Sequence, residues 1–589
     1  MSTSLWLHGR VHVELHPAVG TGGVPRGGVV LVPPFGWEAQ ASHRVRRIWA
    51  ESIAATGFAA LRVDLPGGGD SADDDPQQDA LTGWRDAVGE ACRLLRARTG
   101  GGSVTVLGLG LGGVPALLAA ADGAADGVVL WATPTRRRSA VRALRAFAAV
   151  QGDPDRSATD GALWVNGFRL SAGTLAALTA VDLAGVDVAG SPTARCRRVL
   201  LLGRDGAAPD ARLADALAGR GVAVETAPGP GWTTFVGHPM TAELPVPVRE
   251  RVGTWLDADP VPSGPRSPGP GIAATPAAGT VGLVRPGVSE RVVRLRTPSG
   301  ALYAVVTEPD VVRDPRTLVL LNAGAVPCSG PNRLWARAAR DAAAAGLTAV
   351  RLDLPGIGDS AVPGEGASVD ADFYTPERTR QVGQALDAIE GAGLPARFLL
   401  SGLCSGAYWS FQLGQLDRRV EAVLLLNPMA LLWHQSLPGV SFGRDLLRLR
   451  QWSSWRRLLT GHAFRDGYRA RVAVLLRCLS GAKAARRAAR RARQGSSRDL
   501  VAEGFAALSA RGVRAMLAYS DDEPMLLEMQ RGGRLERLAR EQGVCVRRLG
   551  GPRASHTLAP PRLQSAALAL FGELTRRPAT QVAVVQAPV

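Results

Sequence analysis

The chain has 589 residues, of which 46% are apolar and 21% charged, the balance of a globular protein. That length exceeds what one hydrophobic core organises, so at least two domains are expected. The net charge of +17 points to an anionic partner, and the six scattered cysteines, with no C-x-x-C pair, indicate neither a zinc site nor a disulfide scaffold.

The first segment, MSTSLWLHGRVHVELHPAVG, has no basic stretch followed by an apolar core, so no secretory signal is expected and a cytoplasmic location is. No apolar run reaches about 18 residues, so no membrane span is expected either. An apolar strand follows, GVVLVPPFG (28–36), then a helix, RIWAESIAATG. A second strand ends in RVDLPGGGDS (62–71), and WRDAVGEACRLLRAR makes the next helix. Residues 104–120, VTVLGLGLGGVPALLAA, read as strand, glycine turn and helix; GVVLWATP is a further strand. Residues 257–279, DADPVPSGPRSPGPGIAATPAAG, are rich in Pro, Gly and Ser and read as an interdomain linker, taken as 257–284.

Beyond it the pattern restarts. TLVLLNAGA (317–325), LWARAARDAAAAG, RLDLPGIGDS (351–360), TRQVGQALDAIEGAG, FLLSGLCSGAYWSFQL (398–413) and EAVLLLNP repeat the order. Strands alternating with helices mean parallel sheets. Two tandem α/β domains, doubly wound, are therefore expected at 1–256 and 285–577, with a loose tail at 578–589.

The glycine turns carry the chemistry. Gly108, Gly110 and Gly113 fit the dinucleotide fingerprint G-x-G-x-x-G, and also a nucleophile elbow with Gly110 at its apex. The second copy, Gly402-Leu403-Cys404-Ser405-Gly406, discriminates. An elbow needs small residues two before and two after its nucleophile, and Cys404 is so flanked where Ser405 is not. The backbone N–H of Ser405 then supplies half of an oxyanion hole. In a dinucleotide unit the glycine turn follows the first strand and an acid ends the next. Here the turn follows a later strand and the next ends in Leu-Trp-Ala-Thr, so no dinucleotide cofactor is expected, nor any other.

With PPFGWE (33–38), GFRLSAGTLAAL (167–178), LNAGAVPCSGPNRLW (321–335), SGLCSGAYW (401–409) and NPMALLW (427–433), each half resembles an α/β-hydrolase. Together they resemble the tandem hydrolase-like proteins of bacterial surface-polysaccharide and natural-product loci, including exosortase-associated hydrolases. The chain order of nucleophile, acid and histidine then points to His556, in VCVRRLGGPRASHTLAP, as general acid/base. The resemblance aligns Glu523 as its orienter, with Asp522 and Asp521 as alternatives in YSDDEPM. The second oxyanion donor is expected in Ala323-Gly324-Ala325, where close backbone approach wants small residues. Cys328, Cys478 and Cys545 read as packing residues. In the first half the elbow holds Gly110, an acid stands at Asp205, Thr234 aligns with His556, and His238 lies four residues on. That half is expected to be non-catalytic: a lid, part of a substrate channel, a carrier dock, or a relic.

A cap is expected at about 430–510. Residues 444–499 hold 16 Lys/Arg against 3 Asp, net +13 of the chain's +17. This insert suits an acidic carrier protein, CoA or an anionic membrane surface; no nucleic-acid recognition motif accompanies it. The expected chemistry is acyl transfer or hydrolysis through an acyl-cysteine, acting on a thioester or ester. The alternatives are a non-catalytic scaffold and a dienelactone-type lactone hydrolase.

Overall fold

The computed structural model describes residues 2–21, 25–74, 79–151, 160–190, 195–258, 278–362, 373–432, 499–521, 523, 525, 529–530, 533–550 and 556–576. Two nine-stranded sheets organise them. In the first, the order is Ala223–Ala227, Arg198–Leu202, Gly127–Trp131, Val104–Leu109, Gly28–Val32, Ala59–Val63, Val11–His16, Thr3–Leu7 and Ala278–Gly279. The second repeats it: Cys545–Arg548, Arg514–Tyr519, Val420–Leu426, Phe398–Leu403, Asp314–Leu321, Leu347–Leu352, Gly300–Pro309, Val288–Thr297 and Val281–Arg285. In both, the strands from the first-listed to Ala59–Val63 or Leu347–Leu352 pair in parallel, and the rest antiparallel.

The expected doubly wound α/β class is thus what forms. The inner strands GVVLV and VTVLGL are buried at every residue, because helices cover both faces of a parallel sheet. Alternation sorts their side chains between two cores. Val30 and Val32 join Val88 and Leu117 on one face, while Val29 and Leu31 join Trp49 and Trp131 on the other. In the second half Val319 and Leu321 face Leu386 and Trp409, and Leu318 and Leu320 face Trp335 and Phe571. No helix among the described residues is long and apolar enough to cross a membrane.

The two repeated Asp-Leu-Pro-Gly turns explain each other. In each, Ser Oγ donates to the Asp carbonyl, Ser71 to Asp64 and Ser360 to Asp353, both at 2.6 Å. Each Asp carboxylate accepts the N–H of the second aspartate at 3.0 Å. The second aspartates then cross between the halves. Asp70 accepts from Arg351 at 2.6 Å, and Asp359 accepts from Arg62. Since Arg62 and Arg351 occupy the same repeat position, the halves clasp each other reciprocally. Arg340 and Glu290, both buried, extend the clasp, with Arg340 reaching Asp73 at 3.0 Å.

Of the segment read as a linker, Ala278–Gly279 joins the first sheet and Val281–Arg285 opens the second. Residues 259–277, most of the basic cap (433–498, including Cys478) and the tail lie outside the described residues.

Candidate active site

The strand Phe398–Leu403 lies beside Asp314–Leu321, and the chain leaves Asp314–Leu321 towards Leu347–Leu352 on its other side. This is the point where the strand order reverses, and ligands in open α/β sheets bind outside the carboxyl ends there. Cys404 caps that end. Its φ of 61° and ψ of −112° are strained for a residue with a side chain, and they turn the thiol out between strand and helix. Gly402 permits the turn: a Cβ there would lie 2.5 Å from the Cα of Gly406. The Cys404 N–H donates to Leu426 O at 3.0 Å, which anchors the apex to the neighbouring strand.

Glu523 and His556 meet beside it. The Glu523 carboxylate, 5% exposed, holds His556 Nδ1 at 2.9 and 3.1 Å. Asp521 instead engages Arg548 at 3.1 Å, and Asp522 lies outside the described residues. His556 Nε2 is buried and makes no hydrogen bond of ordinary geometry among the described residues. It nonetheless sits within electrostatic reach of the thiol. Burial lowers the His556 pKa, but the Cys404 and Glu523 charges outweigh it and hold the imidazole well above its ordinary range. Conversely, burial raises the Cys404 thiol, yet the His556 charge, Tyr374 and the Ser405 N–H bring it below the ordinary value. The charge on each group thus favours the charge on the other.

Tyr374 was not foreseen. Its hydroxyl lies 3.3 Å from Cys404 Sγ, and its ring packs edge-on against Tyr408. It precedes the helix Pro376–Gly391, and nothing in the surrounding sequence marks it. Two asparagines hold the histidine loop. Asn427 Nδ2 donates to His556 O at 3.0 Å, and Asn332 Nδ2 to Thr557 O at 2.9 Å. Asn427 stands in NPMALLW and Asn332 in LNAGAVPCSGPNRLW, both quoted above, but neither motif shows that its asparagine reaches the histidine loop.

The oxyanion assignment needs one correction. The N–H of Gly324 donates to Ser405 Oγ at 2.9 Å, so it is not a free donor. The Ser405 hydroxyl is buried behind the elbow and takes the bond that an oxyanion would need. Ala323 and Ala325, on either side of Gly324, remain as backbone candidates.

The first half keeps the turn, with no nucleophile at its apex. Gly110 has φ +52°, and a Cβ on it would lie 2.8 Å from Trp232 Cζ2. The indole fills the space of a nucleophile. Asp205 accepts from the N–H groups of Gly231 and Thr233 at 2.7 and 2.9 Å. Thr234 lies in the short helix Trp232–Phe235, and His238 Nδ1 accepts from Met240 N at 3.2 Å. A cavity of about 820 Å³ remains above Gly110, walled by Phe35, Trp37, Leu144 and Trp232.

No protein-family model matches the chain, and no curated protein does. Among solved structures it is similar to an α/β serine hydrolase without a lid from Xanthomonas campestris, at 16% identity and a TM-score of 0.28 over 49% of this chain and 97% of that one. A dienelactone hydrolase from Anabaena variabilis matches at 12% identity and a TM-score of 0.30 over 49% and 97%. A thermostable esterase from Pseudomonas putida matches at 15% and 0.29 over 49% and 82%.

Proposed function

We propose that the second half catalyses acyl transfer or hydrolysis on an ester or thioester through an acyl-cysteine. The observation that carries this reading is the strained Cys404 beside a His556 that Glu523 holds at 2.9 Å. The thiolate attacks the acyl carbonyl, and the oxyanion accepts the N–H of Ser405 and that of Ala323 or Ala325. The tetrahedral adduct collapses, the C–O or C–S bond breaks, and His556 gives its proton to the leaving group. His556 then takes a proton from water, an amine or a hydroxyl, which attacks the acyl-cysteine and releases Cys404. Glu523 keeps the tautomer that leaves Nε2 free to do this.

A thioester donor suits the site best, because exchange of one thioester for another is nearly balanced in free energy. The basic residues of the cap would then receive an acidic carrier protein or CoA, as suits a biosynthetic enzyme. Intact-mass analysis after incubation with acyl-CoA, carrier-bound acyl and lactone donors tests the reading. An acyl adduct is expected on the wild type and none on Cys404→Ala. An adduct only from lactones selects the dienelactone-type reaction. Unchanged turnover in Cys404→Ala overturns the acyl-cysteine reading, and no adduct and no turnover with any donor leaves a scaffold. Glu523→Gln is expected to lower turnover on the order of a hundredfold or more, and Asp521→Asn to leave it unchanged.

A further inference from the structure

We infer that the first half positions the histidine of the second, through Gln40 and Asn332, so that the placement of His556 beside Cys404 depends on a residue of the first domain. The inference rests on the acyl-cysteine reading above.

The chain of contacts is short. Gln40 is 7% exposed and stands in the short helix Trp37–Ala41 of the first half. Its Nε2 donates to Gly330 O at 2.5 Å, and its Oε1 accepts the N–H of Asn332 at 3.2 Å. Both partners belong to the second half. Between them they grip a strained turn, in which Asn332 and Arg333 both have positive φ, 54° and 59°. Arg333 is gripped in turn, its guanidinium donating to Gly69 O at 3.0 Å and to Ser71 O at 2.6 Å. Gly167 of the first half closes over the Asn332 amide, leaving no room for a Cβ, which would lie 2.5 Å from Asn332 Cγ. So fixed, Asn332 Nδ2 donates to Thr557 O, one residue beyond His556. A second link runs beside it: Gln564 Nε2 donates to Gly167 O and to Ala559 O, both at 2.9 Å.

The consequence is specific. Asn427, from the second half, fixes the His556 carbonyl; Asn332, held by the first half, fixes the next one. With both held, the imidazole keeps Nδ1 on Glu523 and Nε2 towards Cys404. With the second released, the loop gains freedom and the imidazolium no longer sits steadily beside the sulfur. Gln40 is therefore a positioning residue, two hydrogen bonds away from the histidine loop.

The experiment follows the pH dependence of Cys404 alkylation by iodoacetamide in the full-length protein, read on the Cys404 peptide by mass spectrometry. It needs no knowledge of the substrate. Gln40→Met keeps the volume and removes both hydrogen bonds. Asn332→Asp keeps the backbone preference and removes the donor to Thr557. Each is expected to raise the apparent thiol pKa and to slow alkylation near neutral pH by about tenfold, the loss of one well-formed buried bond. Arg285→Gln cuts the interdomain ion pair with Asp73, 3.0 Å, touches neither Gln40 nor Asn332, leaves Asp73 its pairs with Arg333 and Arg340, and is expected to leave the profile unmoved. A depressed wild-type profile that neither Gln40→Met nor Asn332→Asp shifts overturns the inference. So does an equal shift in Arg285→Gln, which would make the effect one of general domain docking. An ordinary thiol profile in the wild type overturns the acyl-cysteine reading, and this inference with it. If Gln40→Met does not fold, Asn332→Asp decides.

Discussion

Tyr374 and the two repeat aspartates show how single residues acquire their chemistry from what faces them. Burial and the neighbouring Cys404 hold the Tyr374 phenol well above its ordinary range, so it stays a donor to the sulfur. Tyr374→Phe removes that donor. Because Tyr374 helps to lower the Cys404 pKa, its loss raises it, and the reactive thiolate disappears at a higher pH as the solution is acidified. Acylation near neutral pH is expected to fall about tenfold, the worth of one hydrogen bond to a charged group. Pre-steady-state acylation rates across pH check this, and an unmoved acidic limb would sink it. Asp64 and Asp353 occupy the same repeat position and behave oppositely. Asp353 is fully buried and Asp64 partly so; Asp64 faces His12 Nδ1 at 3.1 Å and is held below the carboxylate range. Asp353 faces the neutral amide of Asn322 at 2.9 Å, and burial pushes it up to about 7. Its raised pKa means its stabilising contribution is whole in acid and is lost as pH rises through about 7. The infrared carboxyl band of the protonated acid, lost in Asp353→Asn, is expected to titrate near that value.

At the scale of the element, the glycine turn was the legible feature and its occupant was not. The spacing of small residues around Cys404 suffices to identify an elbow, because the turn is sterically impossible with larger ones. Gly110, at φ +52°, turns the chain between strand and helix as Cys404 does, with no side chain at the apex. What fills it does not show in the sequence, since Trp232 comes from a segment 122 positions away and reaches Gly110 only after the first sheet has formed. Gly110→Cys is therefore expected not to restore a second reactive site. Positive φ and the Trp232 contact would cost roughly 1–3 kcal/mol. Thermal unfolding should record the loss, and intact-mass analysis should show no second acyl adduct. The oxyanion turn failed to read for a similar reason. Small residues mark 323–325 as a place of close approach, but the Ser405 hydroxyl that claims Gly324 N–H is a matter of orientation.

At the scale of the molecule, the repeated RVDLPGGGDS and RLDLPGIGDS are the two sides of one interface. Arg351 is fully buried between Asp70 at 2.6 Å and Glu290 at 3.0 Å, and Arg62 is buried against Asp359. Removing one partner of such a pair leaves a buried charge without compensation, at about 3–5 kcal/mol. Arg351→Met is expected to lower the stability of the whole chain by that order. Because the contacts join the cores of both halves, calorimetry is expected to show one cooperative unfolding transition for the wild type. Two separate transitions, with only the second moved by Arg351→Met, would refute the coupling.

Local patterning by itself determined the two doubly wound halves, their shared order of strands, the elbow at Cys404 and the empty one at Gly110. These rest on periodicity and on steric demands within a few residues, which a sequence carries directly. Glu523 and His556 came from chain order and resemblance, and folding decided which of the neighbouring acids reaches the ring. Tyr374, Asn332, Gln40 and the reciprocal arginine–aspartate clasp belonged to tertiary structure alone. Each depends on contacts between segments from 30 to about 290 residues apart, and hydrogen-bonding side chains leave no periodic trace of the partner they will meet.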